Sequence, residues 1–316
     1  MQPIYITGIG AYLPRTMHGN DTLPPFDPPL CAEEIARIGV HRRGWAAPDE
    51  GIAEMAAHAG SRALAAAGME AAALDLVVLA NWTQRRYLPD FAPHLQQLLG
   101  AHRAAAFDVG TACAGFVYGI AIAHSFLQNP RFSRAMVAAS ETTSHRGRPG
   151  SKSRLIFGDG AGAVVLERGA SRGAEVLDYE LGTDGRYHGM MAIDDRGFVK
   201  TQLPQKQLNE LAARSFAEPC RALLGRAGLS MADVDWVVPH SGTAGIQATL
   251  IRSLDVPPEK VLTNFDCVGN VSSAAIPVAL QQFVEAGRVR AGDLVLSPTT
   301  GSGWYSAALL YRMGAL

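Results

Sequence analysis

Cys113 sits in Phe107-Asp108-Val109-Gly110-Thr111-Ala112-Cys113-Ala114-Gly115-Phe116, where an extended run gives way to an apolar helical one. The pattern predicts a buried strand over 104–109, a tight turn of small residues, and a helix over about 114–127. A thiol at a helix N-terminus meets unpaired backbone N–H groups and the positive end of the macrodipole, and both favour thiolate. Gly110, Ala112, Ala114 and Gly115 leave room for a reactant to approach the sulfur. Those small neighbours point to a nucleophile rather than to a structural cysteine.

The elements that must position Cys113 occur twice. A helix ends at Gly68 and a strand follows at 74–78; a second helix ends at Gly228 and a second strand follows at 234–238, a constant offset of 160 residues. Phe107-Asp108 and Phe265-Asp266 each end an expected strand and lead through a Gly/Ala/Ser turn into a helix. Arg134–Ala139 and Asp293–Ser297 form a third matching pair of strands. Strands alternating with long helices imply a parallel-rich α/β architecture, two sheets layered with helices. The halves divide at about 1–170 and 171–316, with Gly169–Gly173 the softest point. Ligands of such sheets bind beyond the carboxyl ends of the strands. Cys113 lies at such an end in the first half, and His240 and Asn270 lie at the matching ends in the second.

A cysteine nucleophile needs a basic or cationic partner and a third group that orients or donates, and His240 and Asn270 supply those types. The ordinary alternatives are a solvated or structural histidine and a turn or helix-capping asparagine. Two glycine runs bear on the site. Gly158-Asp159-Gly160-Ala161-Gly162 is followed by a strand instead of a helix, so it fails the dinucleotide fingerprint and reads as a tight turn packed near the Cys113 helix. Gly301-Ser302-Gly303 follows strand 293–297, and its N–H groups are placed to join that of Cys113 in an oxyanion hole.

Composition sets outer bounds. The chain has 316 residues, 48% hydrophobic and 18% charged, which suits large buried cores. A net charge of −1 gives no reason to expect nucleic acid or an anionic membrane surface as partner. Cys31, Cys113, Cys220 and Cys267 are scattered, with no metal-ligand spacing, which suits a reducing compartment. No signal-peptide pattern and no uninterrupted apolar run of membrane-spanning length is visible, so a cytoplasmic protein is expected. The stretch 186–207 has no clear period and reads as a loop or lid.

The motifs together resemble one family. Thr-Ala-Cys-Ala-Gly-Phe (111–116), Ile-Phe-Gly-Asp-Gly-Ala-Gly-Ala (156–163), Pro-His (239–240) and Gly-Asn-Val-Ser-Ser-Ala-Ala-Ile-Pro (269–277) are similar to the beta-ketoacyl-acyl-carrier-protein synthase III family. The opening Ile6–Pro14, the segment Ala46–Glu50 and Tyr87-Leu88-Pro89 fit as well, so the resemblance spans the chain. It implies the thiolase fold, a duplicated five-layered αβαβα sandwich, present as a homodimer. It further implies that Cys113 takes an acyl group from acyl-CoA or an acyl carrier protein. His240 and Asn270 would then stabilise the enolate formed when a malonyl thioester loses carbon dioxide, with the backbone N–H groups of Cys113 and Gly303 holding the oxyanion. Leu88 matches the position that reaches across the dimer to floor the partner's acyl pocket. No cofactor or metal is implied.

Several positions depart from the pattern. After His240 the family usually continues Gln-Ala-Asn and then a basic residue, whereas this chain reads Ser241-Gly242-Thr243-Ala244-Gly245-Ile246. The region around 190–198 is shortened, Asn81–Arg86 is bulky and basic, and Val271 stands where threonine is common. A specialised member of the family is therefore expected, in fatty-acid or polyketide-type biosynthesis. Acyl transfer from Cys113 to a hydroxyl, amine or thiol without decarboxylation is the alternative, and a non-catalytic subunit a third reading. Arg42, Arg43, Lys152 and Arg154 are expected near coenzyme A phosphates or an acidic carrier, or else on a solvated surface. Cys267 is expected to point away from the site.

Overall fold

One continuous nine-stranded sheet runs through the computed structural model, which describes residues 2–316. In chain order, β1 (Ile4–Tyr12) precedes β2 (Met17–Gly19), α1 (Ala32–Ile38) and β3 (Arg42–Gly44), and β2 and β3 pair as a small antiparallel ribbon. There follow α2 (Ile52–Ala67), β4 (Leu76–Ala80), α3 (Phe91–Leu99), β5 (Ala105–Val109) and α4 (Gly115–Leu127). The first half closes with β6 (Arg134–Thr142), α5 (Lys152–Ile156) and β7 (Asp159–Arg168). The second opens with β8 (Ala174–Thr183), the hairpin β9 (Met191–Ile193) and β10 (Val199–Thr201), and α6 (Gln205–Ala227). It continues through β11 (Trp236–Val237), α7 (Ala244–Leu254), α8 (Phe265–Val268), α9 (Ala275–Glu285), β12 (Leu294–Gly301) and β13 (Tyr305–Arg312).

The duplication is explicit in the strand order. The first half runs β5-β4-β6-β7-β1, with β4 parallel to β5 and β6 and the other pairs antiparallel. The second half repeats this as β11-β12-β13-β8, and Val261 bridges Val237 in parallel where a counterpart of β5 would stand. The sequence predicts two separate sheets; in the structure their edges join, because β1 and β8 pair at Tyr5–Glu175 and Ile6–Ala174.

Helices complete the layers. Helix α2 covers the outer face of the first half, its Ala59 and Ala63 backbones lying directly on β1. A Cβ at Gly8 or Gly10 would stand 2.1 and 2.2 Å from the carbonyl oxygens of Ala63 and Ala59, so only glycine permits that approach. The central layer is α4 and α9, whose Phe116, Ile120, Val278 and Leu280 pack with strand residues of both halves such as Val137 and Leu309. Helices α6 and α7 cover the other outer face through Phe216, Leu223 and Leu250 against Leu296 and Leu310. Truncating a buried side chain of the central layer such as Phe116, 1% exposed, would cost about 3–5 kcal/mol.

Three local expectations change. Phe265-Asp266 opens the single-turn helix α8 instead of ending a strand. The glycines at 158–162 lie at and inside the start of β7, and each makes room for a different neighbour: a Cβ at Gly158 would be 2.2 Å from Val268 O, one at Gly160 3.2 Å from Tyr12 O, and one at Gly162 2.7 Å from Pro277 on α9. Part of 186–207 forms the β9–β10 hairpin, fixed by hydrogen bonds from Ser302 Oγ to Met191 O (2.6 Å) and from Arg146 Nη1 to Gly197 O (3.1 Å).

Candidate active site

Cys113 stands on an elbow. Beyond β5 the chain turns through Gly110 and Thr111, enters the left-handed region at Ala112 (φ 47°), and passes through one 3-10 turn, Ala112–Ala114, into α4. A left-handed φ on a residue other than glycine costs roughly 1–3 kcal/mol and marks a place where the fold imposes a geometry. The second half repeats the device: Ser272 (φ 54°) opens the turn Ser272–Ala274 that leads into α9. Ser272 is offset from Ala112 by 160 residues, so Ser273 is the counterpart of Cys113. The elbows face each other, since a Cβ at Gly115 would be 2.8 Å from Ala80 Cβ and 3.3 Å from Ser273 Cβ.

A polar network joins them. Ser272 Oγ donates to Cys113 Sγ (3.2 Å) and accepts from the indole Nε1 of Trp82 (2.6 Å). Beneath it, the buried Glu141 accepts from Ser273 Oγ at 2.5 Å through one oxygen. Its other oxygen accepts from Thr83 Oγ1 (2.9 Å), Thr83 N (3.2 Å) and Trp82 N (3.3 Å). Burial raises the Glu141 pKa to about 7 against these stabilising bonds.

His240 and Asn270 come together on the second half. His240 is buried, its backbone N–H held by Pro298 O (3.1 Å), and its Nδ1 has no hydrogen-bond partner among the described residues. Burial lowers its pKa to about 4, so the imidazole is neutral at pH 7. The Asn270 backbone bonds to Ile156 O (2.8 Å) and accepts from Gly158 N (3.1 Å) and Thr143 Oγ1 (3.0 Å). Its side-chain Oδ1 accepts from Ser272 N (2.9 Å), which leaves the amide N–H groups free to face a ligand. Gly242 (φ 69°) lies against both groups: a Cβ there would be 2.5 Å from Asn270 Nδ2 and 3.5 Å from His240 Cε1. A small cavity lined by Pro239, His240, Gly242, Phe265 and Asn270 opens at this point.

The remaining expected residues separate. Thr299 Oγ1 donates to Cys113 O (3.1 Å), and Gly301 is the glycine pressed on the elbow, 3.0 Å from its would-be Cβ to Cys113 N. Gly303 (φ 107°) lies in the β12–β13 turn against the Tyr305 ring. Leu88 and Tyr87 are exposed, at 92% and 100%. Lys152 is exposed at the start of α5.

Arg43 does not meet solvent at all. Its guanidinium donates to Asn20 Oδ1 (2.5 Å), Leu155 O (2.8 Å) and His18 O (3.1 Å), which makes it a strut between β3 and α5 and removes it from any phosphate or carrier site. Arg154 is likewise engaged, stacked 3.7 Å over the Trp45 ring and donating to Ser144 O (2.7 Å). Cys267 is exposed, and its thiol contacts the Asp266 carboxyl group. The thiolate expectation for Cys113 also changes. Burial raises its pKa to about 12, outweighing the Ser272 hydrogen bond, so the resting group is a thiol. Sequence reasoning missed Ser272, Trp82 and Glu141. The 160-residue offset was the signal for the first, since it pairs the serine turn with the cysteine turn.

Two like halves whose elbows meet, with Cys113 on one and a His–Asn pair on the other, form the thiolase fold of condensing enzymes. Family models for 3-oxoacyl-[acyl-carrier-protein] synthase III match residues 107–185, and for its C-terminal part residues 224–313. The chain is 35% identical over 324 residues to the beta-ketoacyl-[acyl-carrier-protein] synthase III of Hyphomonas neptunium, covering 98% of each. It superimposes with a TM-score of 0.91 on the 3-oxoacyl-[acyl-carrier-protein] synthase III of Aquifex aeolicus, at 34% identity and covering 98% and 99% of the two chains. The priming beta-ketosynthase of the R1128 polyketide pathway gives 0.89 at 29% identity, covering 99% and 97%. The chain belongs to the beta-ketoacyl-acyl-carrier-protein synthase III family.

Proposed function

We propose that the protein is a ketosynthase that joins an acyl group carried on Cys113 to a malonyl thioester, with loss of carbon dioxide. The observation that carries this is the linked geometry of nucleophile and enolate site: Ser272 bonds Cys113 Sγ through its hydroxyl and Asn270 Oδ1 through its N–H. One residue thus sets the sulfur beside the Asn270 amide and the neutral His240.

In the first half-reaction the Cys113 sulfur attacks the carbonyl carbon of an acyl thioester. The carrier sulfur leaves and takes up the proton that Cys113 gives up. The malonyl thioester then enters with its carbonyl oxygen at His240 and Asn270. The electron pair of the breaking C–CO₂ bond moves into that carbonyl as an enolate, which two neutral donors stabilise without first losing a cation's hydration. The enolate carbon attacks the acyl–Cys113 carbonyl, a C–C bond forms, the C–S bond breaks, and the Cys113 sulfur takes up a proton from solvent water. Backbone N–H groups of Cys113 and of the turn through Gly301 and Gly303 are the proposed oxyanion donors, each worth about 2.7–4 kcal/mol in comparable sites. The chemistry calls for acyl-CoA or acyl carrier protein and a malonyl thioester, with no metal or organic cofactor.

The Tyr87-Leu88 tip, two adjacent large apolar side chains almost wholly exposed, supports a homodimer in which Leu88 closes the partner's acyl pocket. Exposed Arg42 and Lys152 are the basic residues of that set left to meet carrier phosphate or acidic carrier surface. The altered 241–246 loop supports a specialised acyl or polyketide role. No helix among the described residues is long and apolar enough to cross a membrane.

Intact mass spectrometry after exposure to a panel of acyl thioesters, followed by a malonyl thioester, tests the reading. Acyl mass on the protein, then carbon dioxide and a β-ketoacyl product, is the expected course. An acyl-enzyme that passes its group to a hydroxyl, amine or thiol with no carbon dioxide released would replace condensation with simple transfer.

A further inference from the structure

We propose that Ser272 is a catalytic hydrogen-bond donor to the Cys113 sulfur, and that Trp82 is the positioning residue that commits its hydroxyl to that task. The proposal rests on the reading of Cys113 as the acyl-accepting nucleophile and adds the group that steadies its sulfur. A serine hydroxyl has one hydrogen and two lone pairs, whereas an indole N–H can only donate. With Trp82 Nε1 donating to Ser272 Oγ at 2.6 Å, the serine's hydrogen is directed to its other neighbour, Cys113 Sγ at 3.2 Å. Hydrogen bonds arranged head to tail strengthen one another, and a bond to a charged acceptor is about twice as strong as one to a neutral acceptor. The relay therefore favours the sulfur most when it carries charge, at attack and when the C–S bond breaks.

Both members are held in place. Ser272 keeps a left-handed φ of 54° and its N–H is fixed by Asn270 Oδ1 at 2.9 Å. The Trp82 backbone is tied to Glu141 at 3.3 Å, and Thr83 and Ser273 bond to the same carboxyl group. Around the sulfur, Glu141 on β6 opposes the thiolate, while the Ser272 hydroxyl and the Cys113 backbone N–H favour it.

The test measures alkylation of Cys113 by iodoacetamide against pH, by mass spectrometry of its own peptide, so that exposed Cys31 and Cys267 do not interfere. Ser272→Ala should move the profile up by about one to two pH units and slow alkylation about tenfold or more at fixed pH below it. Ser272→Gly, which suits the left-handed φ, should do the same if the hydroxyl and not the backbone is responsible. Trp82→Phe keeps the bulk and removes the N–H, and should shift the profile the same way by about half a unit. An unshifted profile in folded Ser272→Ala and Ser272→Gly overturns the donor role, and an unshifted Trp82→Phe overturns the relay. Because the readout is the sulfur itself, these failures leave the condensation reading standing; loss of thioester labelling at Cys113 in the unaltered protein would remove that reading instead.

Discussion

The Ser272 hydroxyl meets the Cys113 sulfur at 3.2 Å across 159 residues of chain, one from each half of the duplication. That contact exists because the halves use the same left-handed turn, at Ala112 and at Ser272, and set the two turns face to face around Gly115. The candidate site is thus a junction between two copies of one elbow, of which the first carries Cys113 and the second carries Ser272 beside Asn270.

Cys113→Ala should abolish acyl labelling by every thioester that labels the unaltered protein. Its midpoint temperature should change little, because a thiol-to-methyl change at a half-buried turn removes little packing. Intact mass spectrometry and a thermal melt check both parts.

His240→Ala and Asn270→Ala should separate the half-reactions. Each variant keeps the elbow and its sulfur, so acyl transfer to Cys113 persists. Each loses one donor to the enolate oxygen, so release of carbon dioxide from a malonyl thioester should fall about 10²–10³-fold. Stopped labelling assays for acylation and labelled-carbon release for decarboxylation give the two rates independently. Because the imidazole is neutral down to about pH 4, the decarboxylation rate should cross pH 6.5 without the inflection of an ordinary histidine.

Gly242→Ala should damage the same step without replacing a catalytic side chain. The added methyl would stand 2.5 Å from Asn270 Nδ2 at a φ of 69°, so the amide must move off its bond to Ser272 or the loop must open. The expected result is a fall of at least tenfold in condensation with acylation retained. Equal condensation rates in variant and parent would show that the 241–246 loop yields freely.

Arg43→Ala should behave as a core substitution. It leaves Leu155 O, His18 O and Asn20 Oδ1 without their donor in a site with no solvent exposure, a loss of about 2–3 kcal/mol. Thermal melting should fall by several degrees while the Michaelis constant for the carrier thioester stays put. Lys152→Ala should do the reverse, raising the Michaelis constant with no loss of stability.

The architecture was legible because it is written in periodicity and spacing: the 160-residue offset located matching strands, helices and strand ends, and from those the trio Cys113, His240 and Asn270. Arg43 misled because a second positive charge beside Arg42 reads as surface, and only the packing of β3 against β2 and α5 reveals the acceptors around it. The ionisation of Cys113 misled for a related reason: helix position is visible in a sequence, but the burial that opposes it is a sum over both halves. Ser272, Trp82 and Glu141 form bonds between segments 58 to 190 residues apart, which no local pattern encodes. The strand expected before Phe265 shrinks to a single bridge at Val261, since the chain turns instead to place α8 under the site.

Glu141 makes stability fall as pH rises through neutrality. Its folded pKa is raised to about 7 from 4.5, so between these values the folded state binds a proton that the unfolded state has released. The stabilisation is complete below about pH 4.5 and is lost as pH climbs through 7, to a total on the order of 3 kcal/mol. His240 acts with the opposite sign and elsewhere: its folded pKa is lowered to about 4, so its contribution is complete above 6.5 and is lost as pH falls toward 4. Urea unfolding of the parent and of Glu141→Gln at pH 5 and pH 8 isolates the first effect, because His240 is common to both proteins and cancels in the difference. The parent should lose stability relative to the variant between the two pH values, and a constant difference would mean that the buried carboxyl is already ionised at pH 5.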